Sequence, residues 1–303
     1  MVRGIATSPA ETLVRGATVL NERRRSTAAI DREQLDRLLS ILVRECGDGR
    51  QSKEIVETGI KVIDVMCPIR AGGTVAIAGE YGAGITVVLE EIVRRISSSG
   101  HPVTLIVPYP PPSAVWPPSL DENYSLSDAL KQDGYSEGTV GSVQTFFVGG
   151  KEGPWTTEEL ANLASVDTVI HLSREMILRK NYPGVDVMTT RSRLLDDGLI
   201  AQDDIATARN ARDAIRARRA MEEDPALPSD PVLLERANKV QAFFSQPFFV
   251  AEPFTKRPGS HVSRADALRG CREILEGRHD DLPAAAFYFT GSIEEIRRAA
   301  GSS

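Results

Sequence analysis

Apolar positions along this chain alternate between two spacings. Val75-Ala76-Ile77-Ala78 is a short continuous apolar run, the mark of a strand covered on both faces. Val88, Leu89, Ile92 and Ile96 then recur at helical spacing, with Arg94 and Arg95 near the end of that stretch, where cations suit the helix dipole. Gly100 is a stop signal, and residues 103–107 are a second apolar run. Strand, helix, strand in this order predicts a βαβ unit and a parallel sheet. Residues 142–148 and 166–172 read as further strands, with a helix over 156–163 between them. From about residue 200 the pattern turns helical to the end. Leu233, Ala237, Val240 and Phe244 make a stripe, and Ser263 with Asp266 and Ser292 with Glu295 have the spacing of capping boxes. Near the start, residues 13–20 read as short strand pieces around Gly16, and Leu35, Leu38, Leu39 and Leu42 recur as in a helix. The stretch 108–119 breaks both periods. Its six prolines remove backbone donors and fix φ, which predicts a surface crossover loop. A polyproline binding segment is the alternative.

Composition narrows the classes. The 303 residues leave room for two domains. With 36 Lys and Arg against 42 Asp and Glu, the net charge of −6 argues against a general nucleic-acid binder. Arg209, Arg212, Arg216, Arg218 and Arg219 load one helix with positive charge, read as a solvated face or as a surface for an acidic partner. Three widely spaced cysteines (Cys46, Cys67, Cys271) and four histidines without ligand-spaced pairs speak against a disulfide framework or a cysteine-rich zinc site. No apolar run reaches the roughly 20 residues of a membrane span, and the first residues lack the apolar core of a signal peptide. A soluble cytoplasmic protein is the expectation.

The most informative motif lies between the first predicted strand and its helix. Gly79-Glu80-Tyr81-Gly82-Ala83-Gly84-Ile85-Thr86 matches the phosphate-loop template G-x-x-x-x-G-K-[ST] at every defined position but one, where Ile85 replaces lysine. Gly79, Gly82 and Gly84 would let backbone N–H groups curl around phosphate oxygens, and Thr86 would ligand Mg²⁺. Isoleucine cannot offset the phosphate charge, and Glu80 adds an acid beside the expected anion.

Upstream, Glu57-Thr58-Gly59-Ile60-Lys61-Val62-Ile63-Asp64 resembles the E-T-G-I-K-V-x-D segment that precedes the phosphate loop in F-type ATP synthase β subunits, and Met66-Cys67-Pro68 continues the likeness. Phe243-Phe244-Ser245-Gln246-Pro247-Phe248-Phe249-Val250-Ala251-Glu252-Pro253-Phe254-Thr255 resembles the family's F-L-S-Q-P-F-x-V-A-E-x-F-T. Between these anchors, Ser142-Val143-Gln144, Val169–Arg174, Tyr182-Pro183-Gly184-Val185-Asp186 and Ser192–Asp196 are similar to family segments in family order. Leu13-Val14-Arg15-Gly16 looks like the L-V-R-G of the N-terminal barrel. The resemblance covers most of the chain in patches. It implies an α/β fold: a P-loop NTPase-like parallel sheet over residues 51–198, a C-terminal helical domain over 199–303, and a remnant of an N-terminal β-barrel over 1–50. It also implies an adenine site at Tyr182, Phe248, Ala251 and Phe254. The competing reading makes these aromatics plain core.

The departures bear on function. Most of the family's barrel has no counterpart. Where the family places the Glu that activates water, this chain has Pro108-Tyr109-Pro110-Pro111-Pro112. No segment between Val107 and Ser142 resembles the Walker B strand or the arginine-bearing segment after it. Residues 224–230 keep only the terminal acids of the family's acidic rotor-contacting loop. The expectation is therefore a β-subunit-like pseudoenzyme, with no catalytic residue assigned. It would bind ATP or ADP with Mg²⁺ weakly or not at all, and assemble with synthase-like subunits or its own copies, in the cytoplasm or beside a membrane complex. An active ATP-hydrolysing β-type subunit is the alternative. A nucleic-acid translocase is disfavoured by the charge.

Overall fold

The computed structural model describes residues 17–19, 52–98, 103–108, 143–151, 153–228 and 230–301. In chain order they form β1 (Ala17–Val19), β2 (Ile55–Val56), α1 (Lys61–Met66), β3 (Ile69–Arg70), β4 (Thr74–Glu80), α2 (Ile85–Ser98), β5 (Val103–Pro108), β6 (Val143–Lys151), α3 (Thr157–Asn162), β7 (Thr168–Leu172), α4 (Arg174–Leu178), β8 (Arg191–Ser192), α5 (Gln202–Glu223), α6 (Pro231–Phe244), α7 (Glu252–Thr255), α8 (Arg264–Leu275) and α9 (Ile293–Gly301). The architecture is mixed α/β. Among the described residues no helix is long and apolar enough to cross a membrane. The expectations for residues 13–16, for Leu35, Leu38, Leu39 and Leu42, and for the proline-rich stretch beyond Pro108, lie outside the described residues.

The described residues divide into two compact units. One contains those up to Val56 together with Ile69–Leu172; the other contains Glu57–Pro68 and the chain from Ser173. The segment 57–68 and residues 173–198, which the resemblance places within a domain over 51–198, cluster with the helices.

In the first unit the parallel strands run in the order β1–β5–β6–β4–β7. Val75, Ala76, Ile77 and Ala78 of β4 are buried, as a strand flanked on both sides requires. Pairing of β5 directly with β6 runs from Val103 opposite Val143 to Pro108 opposite Val148. β1, expected as a barrel piece, lies parallel beside β5. The apolar stripe of α2 buries Val88, Ile92 and Ile96, and a buried Arg95–Glu91 pair at 2.6 Å closes its last turns. Thr156 and Glu159 form a reciprocal capping box that starts α3.

In the second unit α5, α6 and α8 pack on one another and on α1. They bury Ile205, Ala208, Ala211 and Ile215 of α5, Ala237, Val240, Phe243 and Phe244 of α6, and Ala267, Leu268, Cys271 and Ile274 of α8. Leu233, the first member of the expected α6 stripe, is 55% exposed because it stands in the helix's first turn, clear of the packing. Gly270 lets α8 close on α6, since a Cβ there would meet Phe243 Cζ at 2.7 Å. Ser263 caps α8 by accepting from Asp266 N at 3.1 Å. The arginines of α5 are largely committed internally. Arg212 donates to Val187 O at 2.9 Å, Arg218 pairs with Glu222, Arg219 with Asp186 and Arg216 with Asp213.

Candidate functional site

The glycine turn is built at the C-terminal end of β4. Gly79 sits where β7 approaches closely, so a Cβ would lie 2.7 Å from Leu172 O. Gly82 and Gly84 have φ of +87° and +85°, a region that L side chains resist, although open space surrounds both. Ala83 N donates to Glu80 O at 3.0 Å to close the turn, and Val88 N donates to Gly84 O at 3.0 Å to begin α2. Thr86 is exposed and Ile85, the first residue of α2, is half-buried. The Ile85 side chain does not point into open space. A Cβ on Gly150 of β6 would meet Ile85 Cδ1 at 3.2 Å and Tyr81 Cε1 at 3.0 Å, so the two side chains lie over this bare glycine. Trp155, a residue the motif does not contain, donates from Nε1 to Gly79 O at 3.0 Å and ties the loop to the segment before α3.

The turn therefore carries two glycines in the left-handed region, with the Ile85 alkyl chain at the position that the phosphate-loop template gives to lysine. A triphosphate with Mg²⁺ does not fit this donor set, because Ile85 offers no charge and Glu80 adds one of the wrong sign. Among the described residues no group of three or more His, Cys, Asp or Glu side chains is placed to hold a metal ion.

The second unit brings together the two sequence anchors, 57–64 and 243–255. Lys61 N donates to Gln246 Oε1 at 2.9 Å across 185 residues. Gln246 Nε2 donates to Gly59 O and Ser260 O at 2.8 and 2.7 Å. Lys61 Nζ donates to Thr290 O, Gly291 O and Ser245 O at 2.7, 3.0 and 3.3 Å, and lies 4.3 Å from the centre of the Phe243 ring. Asp64 accepts from Thr58 N, Thr58 Oγ1 and Gly59 N. Both charged side chains are fully buried. Burial pulls the Lys61 ammonium down to about 7, against the Glu295 carboxylate. It pushes the Asp64 carboxyl up to about 7, against the three bonds it accepts. Burial likewise pushes the Cys67 and Cys271 thiols up to about 12, which leaves both unreactive at neutral pH.

The four adenine candidates fall in this unit in different settings. Phe248 is buried at 5% exposure and is core. Ala251 is half-buried; its N donates to Phe248 O at 3.2 Å. Phe254 on α7 is 86% exposed, so its ring is not core. Tyr182 is 39% exposed and meets Phe289 edge-to-face, with ring centres 6.2 Å apart. Phe289, absent from the sequence candidates, also carries Tyr288 at 5.7 Å and the Arg257 guanidinium at 5.4 Å. The same unit holds a cleft of about 360 Å³, lined by Asp203, Thr207, Asn210, Arg272, Leu275 and Glu276, none of them a sequence candidate. No known family model matches the sequence.

Proposed function

We propose that this chain is a divergent, non-catalytic relative of the F-type ATP synthase β subunit. In this reading it holds adenine nucleotide weakly and serves in assembly with synthase-like subunits or with copies of itself, in the cytoplasm or beside a membrane complex. The observation that carries the non-catalytic part is Ile85. It occupies the lysine position of a glycine turn and covers Gly150 together with Tyr81. Phosphoryl transfer rests on positioning and charge stabilisation, and an alkyl chain supplies neither. The relationship is supported by the two family-like anchors, whose polar residues Lys61 and Gln246 bond each other deep in one unit. The fold reading is a P-loop NTPase-like sheet, in which β1 lies beside β5, with a helical domain and a barrel remnant in the first 50 residues. Base binding is assigned to Tyr182 and Phe254, since both rings offer exposed surface and a stacked base is held by roughly 1–3 kcal/mol per ring.

The alternative, a working β-type ATPase, has one observation in its favour: Gly82 and Gly84 keep the open turn and Thr86 stays exposed. Mg²⁺-dependent phosphate release by the wild-type chain would decide for the alternative, and restoring the cation tests the turn that both readings share. Ile85→Lys should tighten ATP relative to AMP by about tenfold or more in calorimetry, the gain of one charge-assisted contact. An unchanged ratio of the two affinities would sink the assignment of this turn as a former phosphate loop.

A further inference from the structure

Phe289 adopts φ of 58°, the left-handed region that a bulky side chain rarely enters. Such strain persists only where the surroundings impose it. Here they do so from both sides. The two carbonyls that follow, Thr290 O and Gly291 O, are held by Lys61 Nζ at 2.7 and 3.0 Å. On the ring side, Tyr182 stands perpendicular at 6.2 Å and Arg257 lies over the ring at 5.4 Å. Tyr288 shares the same surroundings: burial raises its phenol, the Tyr182 phenol adds to that, and Arg257 opposes it. The Arg257 side chain is exposed, and its guanidinium stands over a ring. Arg257 follows Phe254 by three residues, and Thr255 Oγ1 accepts from its backbone N–H at 3.3 Å.

We infer that Tyr182, Phe289 and Arg257 form a ring-and-cation shelf for a nucleoside monophosphate, with the base on Tyr182, the phosphate on Arg257, and Phe289 as the hub that positions both. The inference rests on the reading of Tyr182 and Phe254 as base-stacking residues; it adds the phosphate contact and the hub. The Tyr182 ring and the Arg257 guanidinium lie 6.2 and 5.4 Å from the Phe289 ring centre, which makes Phe289 their common neighbour. The planar guanidinium stacks on a ring and still presents its edge donors to an anion, which a lysine in the same place would do less well. Lys61 acts here only as a positioning residue, through the two carbonyls it holds.

The test is calorimetric titration of the full chain with adenosine, AMP and ribose 5-phosphate. Wild type should bind AMP about tenfold tighter than adenosine, as one phosphate contact implies, and ribose 5-phosphate far more weakly than either. Arg257→Gln should bring AMP to the adenosine level without changing adenosine, and Arg257→Lys should recover part of the difference. Phe289→Gly should weaken both nucleotide ligands. Glycine is at ease at this φ, so a melting temperature read alongside separates loss of the hub from loss of fold. If Phe254→Ala abolishes adenosine binding while Arg257→Gln leaves the AMP-to-adenosine ratio unchanged, the adenine reading stands and the shelf is wrong. Ribose 5-phosphate binding as tight as AMP would reduce Arg257 to a bare anion contact and also contradict the shelf. Failure of both adenosine and AMP to bind wild type would remove the adenine reading and the shelf with it.

Discussion

Lys61 and Asp64 sit three residues apart at the centre of the second unit, and each carries a charge that burial opposes. Their effects on stability run in opposite directions. The folded value of Asp64 lies above the ordinary carboxyl value of 3.8, so its contribution is full below that and is lost as pH rises through about 7. The folded value of Lys61 lies below the ordinary lysine value of 10.5, so its contribution is full above that and is lost as pH falls through about 7. Each swing is of the order of a few kcal/mol. In urea unfolding, the stability of wild type relative to Asp64→Asn should therefore decline between pH 4 and 7. Relative to Lys61→Met it should rise between pH 7.5 and 10. Flat differences in both windows would mean that the two groups keep ordinary values in the fold.

At the scale of elements, the strands and helices flanking the glycine turn are legible from apolar spacing. β4 is a continuous apolar run, and α2 repeats Val88, Ile92 and Ile96 on one face. The placement of 57–68 is not legible in this way, because what fixes it is polar and distant. Lys61 and Gln246 are polar and carry no apolar spacing, yet they bond buried groups about 185 residues or more along the chain, while Asp64 holds Thr58 and Gly59 close by. The Gln246 side chain bonds Lys61 N, Gly59 O and Ser260 O. Gln246→Met, which keeps the volume and removes the acceptor of the buried Lys61 N–H, should destabilise the chain by about 1–3 kcal/mol in urea unfolding, the cost of one unpaired buried donor. A loss under 0.5 kcal/mol would show that the link between α1 and the end of α6 is replaceable. The same limit explains the site. The glycines announce the turn, but the cover that Tyr81 and Ile85 place over Gly150, the Trp155 bond to Gly79 O, and the gathering of Tyr182 and Arg257 on Phe289 depend on elements far apart in sequence.

At the scale of the whole molecule, the proposed function is that of a nucleotide-binding relative with Ile85 at the lysine position of its glycine turn and aromatic surface left at Tyr182 and Phe254. Phe248 has the position of a base-site residue in the sequence and the burial of a core residue in the fold, whereas Phe254 is exposed. A base site of this kind rests on fewer rings than the motif suggests, and the expected affinity is correspondingly low. The most direct measurement is a nucleotide titration of the intact chain with and without Mg²⁺, read by calorimetry and by phosphate release. The account predicts weak adenine-nucleotide binding that Mg²⁺ does not strengthen, with no turnover. Tight, Mg²⁺-dependent ATP binding with sustained phosphate release would contradict it.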